Sequence, residues 1–369
     1  MIRIDEIYTN TFWPYIEQHR PGTRVFFCDP PGSTSPDTLF NLGRDDIKEN
    51  DYIYFHDQEP VHLDSFEPLF DDVKLRNWDL EFHDPTIHGH VVVSEQGEYV
   101  DQLCERYGWQ AHYYFYHGWA CLDWFRGYDQ TYLIPRARDR HPTRTFMSPN
   151  RIVAGKRDHR VLFLYNVFKN KLEDNHISAP RHCQYEGVDI QQIASKYNNT
   201  YPDISQVFAE AKLPRLFSGE ANQLMHSYQL GNFAEARDSL LYVPTETVYF
   251  GQRSHLTEKT FKAIALEMPF VLVAPAHSLK YLREYGFKTF SPFIDESYDD
   301  IEDDILRIEK VTAILLEIQA RSAAAKIQLH RDLLSTVEYN YNHFYRGGFR
   351  DILEVELEQM LEGLCSASL

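Results

Sequence analysis

The 369-residue sequence predicts an α/β protein: two Rossmann-like domains facing a cleft, with closing helices at the C-terminal end. Three observations carry that expectation. Short β-type runs alternate with helical or polar connections, the pattern of a mostly parallel sheet. The alternation stops at a basic segment without apolar periodicity and then begins again. From residue 297 to 364 the apolar positions fall three or four apart, the spacing of amphipathic helices.

In the first domain, residues 1–140, the runs RVFFCDP (24–30), DYIYFHDQEP (51–60), HVVVSE (90–95) and HYYFYHGW (112–119) read as strands. Between the last two, EYVDQLCERYG (98–108) places Val100, Leu103, Cys104 and Tyr107 on one helical face. The basic RARDRHPTR follows, and a linker is placed over 136–143. The second domain, 141–320, opens with a strand at TFMSP (145–149) and a helix at RVLFLYNVFKNKL (160–172). It continues with strands at LLYVPTETVYF (240–250), PFVLVAP (269–275) and KTFSPF (288–293) and with helices between them, one at SLKYLREYG (278–286). Residues 321–369 are assigned to the closing helices.

Composition narrows the class. Hydrophobic residues at 43% and charged residues at 25% fit a globular protein, and a net charge of −18 works against broad attraction to nucleic acid or an anionic membrane. No run approaches the ~18 apolar residues of a membrane span, and Met1 is followed by Ile-Arg-Ile-Asp-Glu, so the expected location is the cytoplasm. Cys28, Cys104, Cys121, Cys183 and Cys365 are scattered without a CxxC pair, which fits a reducing compartment and neither a zinc site nor a disulfide framework.

Within SHLTEKTFKAIALEMPFVLV (254–273), Phe261, Ile264, Ala265 and Met268 form a buried helix face and Thr257 suits the N-cap. Glu258 and Lys259 then fall in the first turn, where partial positive charge disfavours a cation unless an anion is near. Lys259 either turns into water or helps to hold an anion. The buried run PFVLV places this helix start on the side where strand C-terminal ends gather and ligands bind. Helix N–H groups with an ammonium suit a diphosphate, and a carboxylate suits ribose hydroxyls.

In the first half, YIYFHDQEPVHLD (52–64) runs a strand into a loop holding His56, Asp57, Glu59, His62 and Asp64. A carboxylate at a strand end meets the need of group transfer for a general base. These residues lack regular metal-ligand spacing, and no metal is expected. HYYFYHGWACLDWF (112–125) offers His117 and Asp123 beside aromatics, and HVVVSE ends in Ser94-Glu95. His117, Asp123 and Glu95 read either as acceptor contacts or as turn and cap residues.

The segment TETVYFGQRSHLTEKTFKAIALEMPFVLVAP (245–275) resembles the C-terminal signature of the alpha-1,3-fucosyltransferase family. The resemblance implies that Glu258 contacts the nucleotide ribose and Lys259 the diphosphate. His255 stands where the family usually has Tyr, and Glu246-Thr247 replaces Glu-Asn; Glu246 and His255 are the matching donor-side positions. MSPNRIVAGKRDHRVLFLYNVF (147–168) is similar to the opening of the family's nucleotide domain, with Arg160 the best match to its phosphate-binding Arg and Arg157 close behind. The family's Glu near a Pro makes Glu59 the first choice of base and Asp57 the second. From about residue 50 to 300 the phrases YFHDQEP, YYFYHGWACLDW, LTEKTFK and FKTFSPFIDESYD also resemble phage and viral glycosyltransferases.

These resemblances imply a GT-B fold and an inverting, metal-independent hexosyl- or pentosyltransferase. A nucleoside-diphosphate sugar is the co-substrate, a saccharide or other hydroxyl the acceptor, no cofactor is needed, and a viral enzyme works in the host cytoplasm. Two further readings stay open. One is transfer to modified phage DNA, with Arg136, Arg138, Arg140, Arg144 and Arg151 on phosphates; the other is a degenerate transferase kept as a sugar-binding or assembly module.

Overall fold

A computed structural model describes residues 2–27, 52–61, 89–132, 134, 136–183, 186–218 and 228–366. The chain divides into two compact units. Unit 1 comprises Met1–Asp123, Arg253–His255 and Arg350–Leu369; unit 2 comprises Trp124–Gln252 and Leu256–Phe349.

Unit 1 carries strands β1 (Arg24–Phe27), β2 (Tyr52–His56), β3 (Gly89–Val93), the short β4 (Gln96–Gly97) and β5 (Gln110–Tyr113). β1, β2, β3 and β5 pair in parallel in that order, in a register that sets Phe55 beside Val92 and Val92 beside His112. All five residues of β3 are buried, as a parallel strand covered on both faces requires. The helix Glu98–Tyr107 connects β3 to β5 and ends at Gly108, whose φ of 66° is the left-handed turn that closes a helix. The strand expected over 112–119 is corrected: pairing stops at Tyr113, and Tyr116–Trp124 is a helix buried at its first seven residues. A run that is apolar on every side reads the same as buried strand or buried helix.

Unit 2 holds β6 (Arg144–Ser148), β7 (His176–Ile177) and β8 (Ser239–Tyr242), parallel in the order β7-β6-β8. The helix Asp158–Lys169 follows β6 with nine consecutive buried residues, His159 to Val167, so it is core on every face. Beyond β8 the strand expected over 269–275 exists only as bridges of Tyr242 to Phe270 and of Thr245 to Val273, since Pro244 and Pro269 carry no N–H for a ladder. The strand expected over 288–293 is also corrected, because the Phe290 and Ser291 N–H groups donate to the Glu296 carboxylate and not to a neighbouring strand.

The segment expected as a linker is folded into unit 2. Arg136 pairs with Glu267 at 2.8 Å and lies over the Tyr341 ring; buried Arg140 donates to the Ala236 and Leu266 carbonyls. The tail is helical as expected, over Asp304–Ala320, Ala323–Tyr345 and Gly348–Ser366, the first two capped by Asp303 and Ser322. Phe344 and Phe349 pack on Phe261, which anchors the helix Glu258–Ala265. The last strand, β9 (Arg253–Ser254), pairs antiparallel with β4 inside unit 1. Among the described residues no helix is long and apolar enough to cross a membrane.

Candidate anion site and candidate base

In unit 2 the chain leaves β6 for β7 on one side and returns to β8 on the other. The carboxyl ends of β6 and β8 therefore flank a topological switch point, the usual place for a ligand in an open α/β sheet. Two helix starts meet there on one dipeptide, Thr245-Glu246. From the helix Asp158–Lys169, His159 Nε2 donates to the Glu246 carbonyl at 3.0 Å, and Arg160 Nη2 donates to the carbonyls of Thr245 and Glu246, each at 3.0 Å. From the helix Glu258–Ala265, the N–H groups of Thr257 and Thr260 donate to the Glu246 carboxylate, each at 3.2 Å.

The Glu246 carboxylate also accepts from the hydroxyls of Thr257 (2.5 Å) and Thr260 (2.6 Å) and from the Thr247 N–H, and it is fully buried. It is an external N-cap: a negative charge from another segment closes the positive end of the helix. Thr257 occupies the expected N-cap position, but its hydroxyl serves Glu246 and not its own helix.

Lys259 does not turn into water. Its Nζ donates to Thr247 Oγ1 (2.9 Å), Thr257 Oγ1 (3.1 Å) and Glu258 Oε1 (2.9 Å), one acceptor for each ammonium hydrogen. Its side chain is 21% exposed, so it is reachable from outside. Arg160 is not: it is 3% exposed, with Nη1 on the Ile152 carbonyl, and burial, reinforced by Arg157, lowers its pKa to about 9. Arg157, half-buried in the loop before the helix, donates to the Gly155 carbonyl at 3.1 Å. Gly155 has a φ of 66°, and a Cβ there would meet Glu186 Oε1 at 2.8 Å, so this cationic loop needs a glycine.

Sequence reasoning missed His159 and Tyr249. His159 is wholly buried, stacks on Tyr249 (5.0 Å, 11°), and is held neutral by burial and by Arg160. Arg307 covers Tyr249 at 4.4 Å and donates to its carbonyl, so the loop after Thr247 is clamped. The available signal was a histidine on the buried face of an otherwise apolar helix.

In unit 1, Asp57 directly follows β2. It is 2% exposed and accepts from Tyr8 Oη at 3.0 and 3.1 Å and from Tyr114 Oη. Burial raises its pKa to about 6, against the lowering effect of the two phenols and of backbone hydrogen bonds from Asp57 and Gln58. Glu59, half-buried, lies two residues on, so both candidate bases share one strand end. Glu95 forms a buried bidentate pair with Arg253 (2.6 and 2.7 Å) and accepts the Val61 N–H. His255 also lies in unit 1, with Nδ1 on the Ser94 carbonyl and its ring 5.1 Å from His117; Glu246, Glu258 and Lys259 belong to unit 2. Asp123 accepts the Ile4 N–H at 3.1 Å. His62, Asp64 and Cys28 lie outside the described residues. Among the described residues no group of three or more His, Cys, Asp or Glu is placed to hold a metal ion.

A scan against protein-family models gives no match, and a search of the curated proteins gives none. Among solved structures the chain is similar to a UDP-forming alpha,alpha-trehalose-phosphate synthase from Burkholderia vietnamiensis, at 14% identity and a TM-score of 0.34, over 83% of this chain and 69% of that one. A trehalose-6-phosphate synthase studied with bisubstrate glycomimetics of transfer with retention is similar at 13% identity and a TM-score of 0.32, over 84% and 74%.

The two places differ chemically. Unit 2 offers a held ammonium and a guanidinium loop beside a helix start that Glu246 already closes, which suits a polyanion charged enough to draw Lys259 from its acceptors. Unit 1 offers a buried carboxyl with a raised pKa, which suits proton transfer near neutral pH.

Proposed function

We propose that the chain is a glycosyltransferase of the GT-B type, in which unit 2 binds the nucleoside diphosphate of a sugar donor and unit 1 supplies the general base. One observation carries the reading: the Lys259 ammonium held at a helix start on the β6/β8 switch point, with Arg157 in the neighbouring loop. A donor diphosphate takes the ammonium from the Thr247 and Thr257 hydroxyls and draws in Arg157. Glu258, paired with Lys259, accepts from the ribose. Arg160 and Glu246 fix the strand end and the helix start from behind.

The base removes the proton of the acceptor hydroxyl as its oxygen attacks the anomeric carbon. The carbon–oxygen bond to the diphosphate breaks on the opposite face, and the leaving charge meets Lys259 and Arg157 without a metal ion. Asp57 suits the base by its pKa of about 6, which leaves it ionised at neutral pH; Glu59 is the alternative. Modified DNA is the less favoured acceptor, since Arg136 and Arg140 are engaged within unit 2.

Titration calorimetry of the full chain with a panel of nucleoside diphosphates and their sugars tests the reading. At least one should bind, and Lys259→Ala should weaken it about ten- to a hundredfold, the worth of a charge-assisted hydrogen bond. Asp57→Asn or Glu59→Gln should keep that affinity and lose transfer. A panel in which nothing binds overturns the proposal.

A further inference from the structure

Asp57 itself is poorly placed to meet an acceptor. It is 2% exposed, and Tyr114, which donates to Oδ2, is fully buried. Of the two phenols on this carboxylate, Tyr8, half-buried in the N-terminal segment, is the more exposed. Tyr8 Oη donates to both Asp57 oxygens, at 3.0 and 3.1 Å, and receives Gln58 Nε2 at 3.0 Å. Its ring is fixed by Phe12 (6.0 Å) and edge-on by Phe55 (5.6 Å), so the hydroxyl is aimed by packing.

We infer that Tyr8 is a catalytic residue, the relay through which Asp57 takes the acceptor proton. The inference rests on the proposed transferase reading and assigns a further group to it. In one step the acceptor O–H bond breaks and its proton passes to Tyr8 Oη. The original Tyr8 proton passes to Asp57, the acceptor oxygen bonds to the anomeric carbon, and the diphosphate leaves with the electron pair of its broken bond. Tyr8 ends the step a neutral phenol, as it began. Burial and the Asp57 charge keep its pKa well above that of a free tyrosine, which suits a group that carries a proton without resting as phenolate. Among the described residues Tyr114 and Tyr116 also interact with the Asp57 charge, and Glu59 with Tyr116; Tyr116 is buried and Tyr114 fully so.

The reaction to follow is release of nucleoside diphosphate from the best-binding nucleotide sugar, with water as the acceptor hydroxyl. Tyr8→Phe keeps the ring packing and should lower kcat about a hundredfold or more, within the range of general acid–base contributions, with donor affinity unchanged. In mixtures of light and heavy water the unsubstituted protein should give a curved proton inventory, because two protons move together, and Tyr8→Phe a linear one. Tyr114→Phe removes a phenol that cannot reach an acceptor and should keep the curvature. A Tyr8→Phe variant that turns over at the full rate overturns the inference, as does a linear inventory in the unsubstituted protein. Either result leaves donor binding in unit 2 standing; only a silent binding panel removes that.

Discussion

Asp57 and Glu246 are both buried carboxylates beyond the carboxyl end of a parallel strand, one in each unit, yet their partners make them opposite devices. Glu246 receives three backbone N–H groups and two threonine hydroxyls, and it closes the positive end of a helix. Asp57 receives two phenols and backbone hydrogen bonds from Asp57 and Gln58 but no threonine hydroxyl and no helix start, and burial outweighs these donors and raises its pKa to about 6. Glu95 shows a third solution, the guanidinium of Arg253. A strand-end carboxylate thus becomes a fixed anchor or a proton acceptor according to how fully its charge is answered.

The contrast can be broken most severely at Glu246. Glu246→Ala strips the helix Glu258–Ala265 of its cap and leaves buried N–H groups without an acceptor. It should destabilise the protein by about 3–5 kcal/mol in chemical denaturation, as breaking a buried charged network does. A loss near zero would mean that the threonines re-cap the helix unaided.

Asp57 gives the next effect, visible through pH. Its folded pKa of about 6 lies above the ordinary carboxyl value, so between about pH 4 and 6 the folded protein binds the extra proton. Its contribution to stability is therefore greatest at low pH and declines as pH rises through that window, by roughly 3 kcal/mol for a shift of about two units. Asp57→Asn should remove that slope, so its stability relative to the parent improves from pH 4 to 7 in denaturant titrations. Parallel profiles would show that Asp57 does not carry this pH dependence. The smallest effect is expected at Thr247→Val, which deletes one acceptor of the Lys259 ammonium. It should change nucleoside-diphosphate affinity only severalfold in calorimetry, about 1 kcal/mol.

Much of this was legible in the sequence because it follows from periodicity. The helix Glu98–Tyr107 and the tail helices declare themselves by apolar spacing, and the strand at Gly89–Val93 by its short valine run. What failed lies where tertiary partners decide. Tyr116–Trp124 reads as strand in the sequence because its first seven residues are all buried and leave no period to read, and Phe290 donates its N–H to Glu296 and not to a strand. For the site, the Glu258-Lys259 helix start was readable from local charge and capping rules. The partners of Arg160 and Glu246 were not, since Arg160 bonds to carbonyls some 85 residues away in the chain and Glu246 caps a helix from eleven residues away. Asp57's phenols come from Tyr8 and Tyr114, far apart in the chain, and no local pattern announces them.

The resident carboxylate of Glu246 has a consequence for selectivity among ions. The helix start carries its own counter-charge when empty, so the protein does not rely on a borrowed anion to fold. Small monovalent anions that crowd a cell gain little there, because the field that would attract them is already cancelled. Only a ligand with enough charge to pull Lys259 away from its two threonines repays the exchange, and the threshold for entry is set from within.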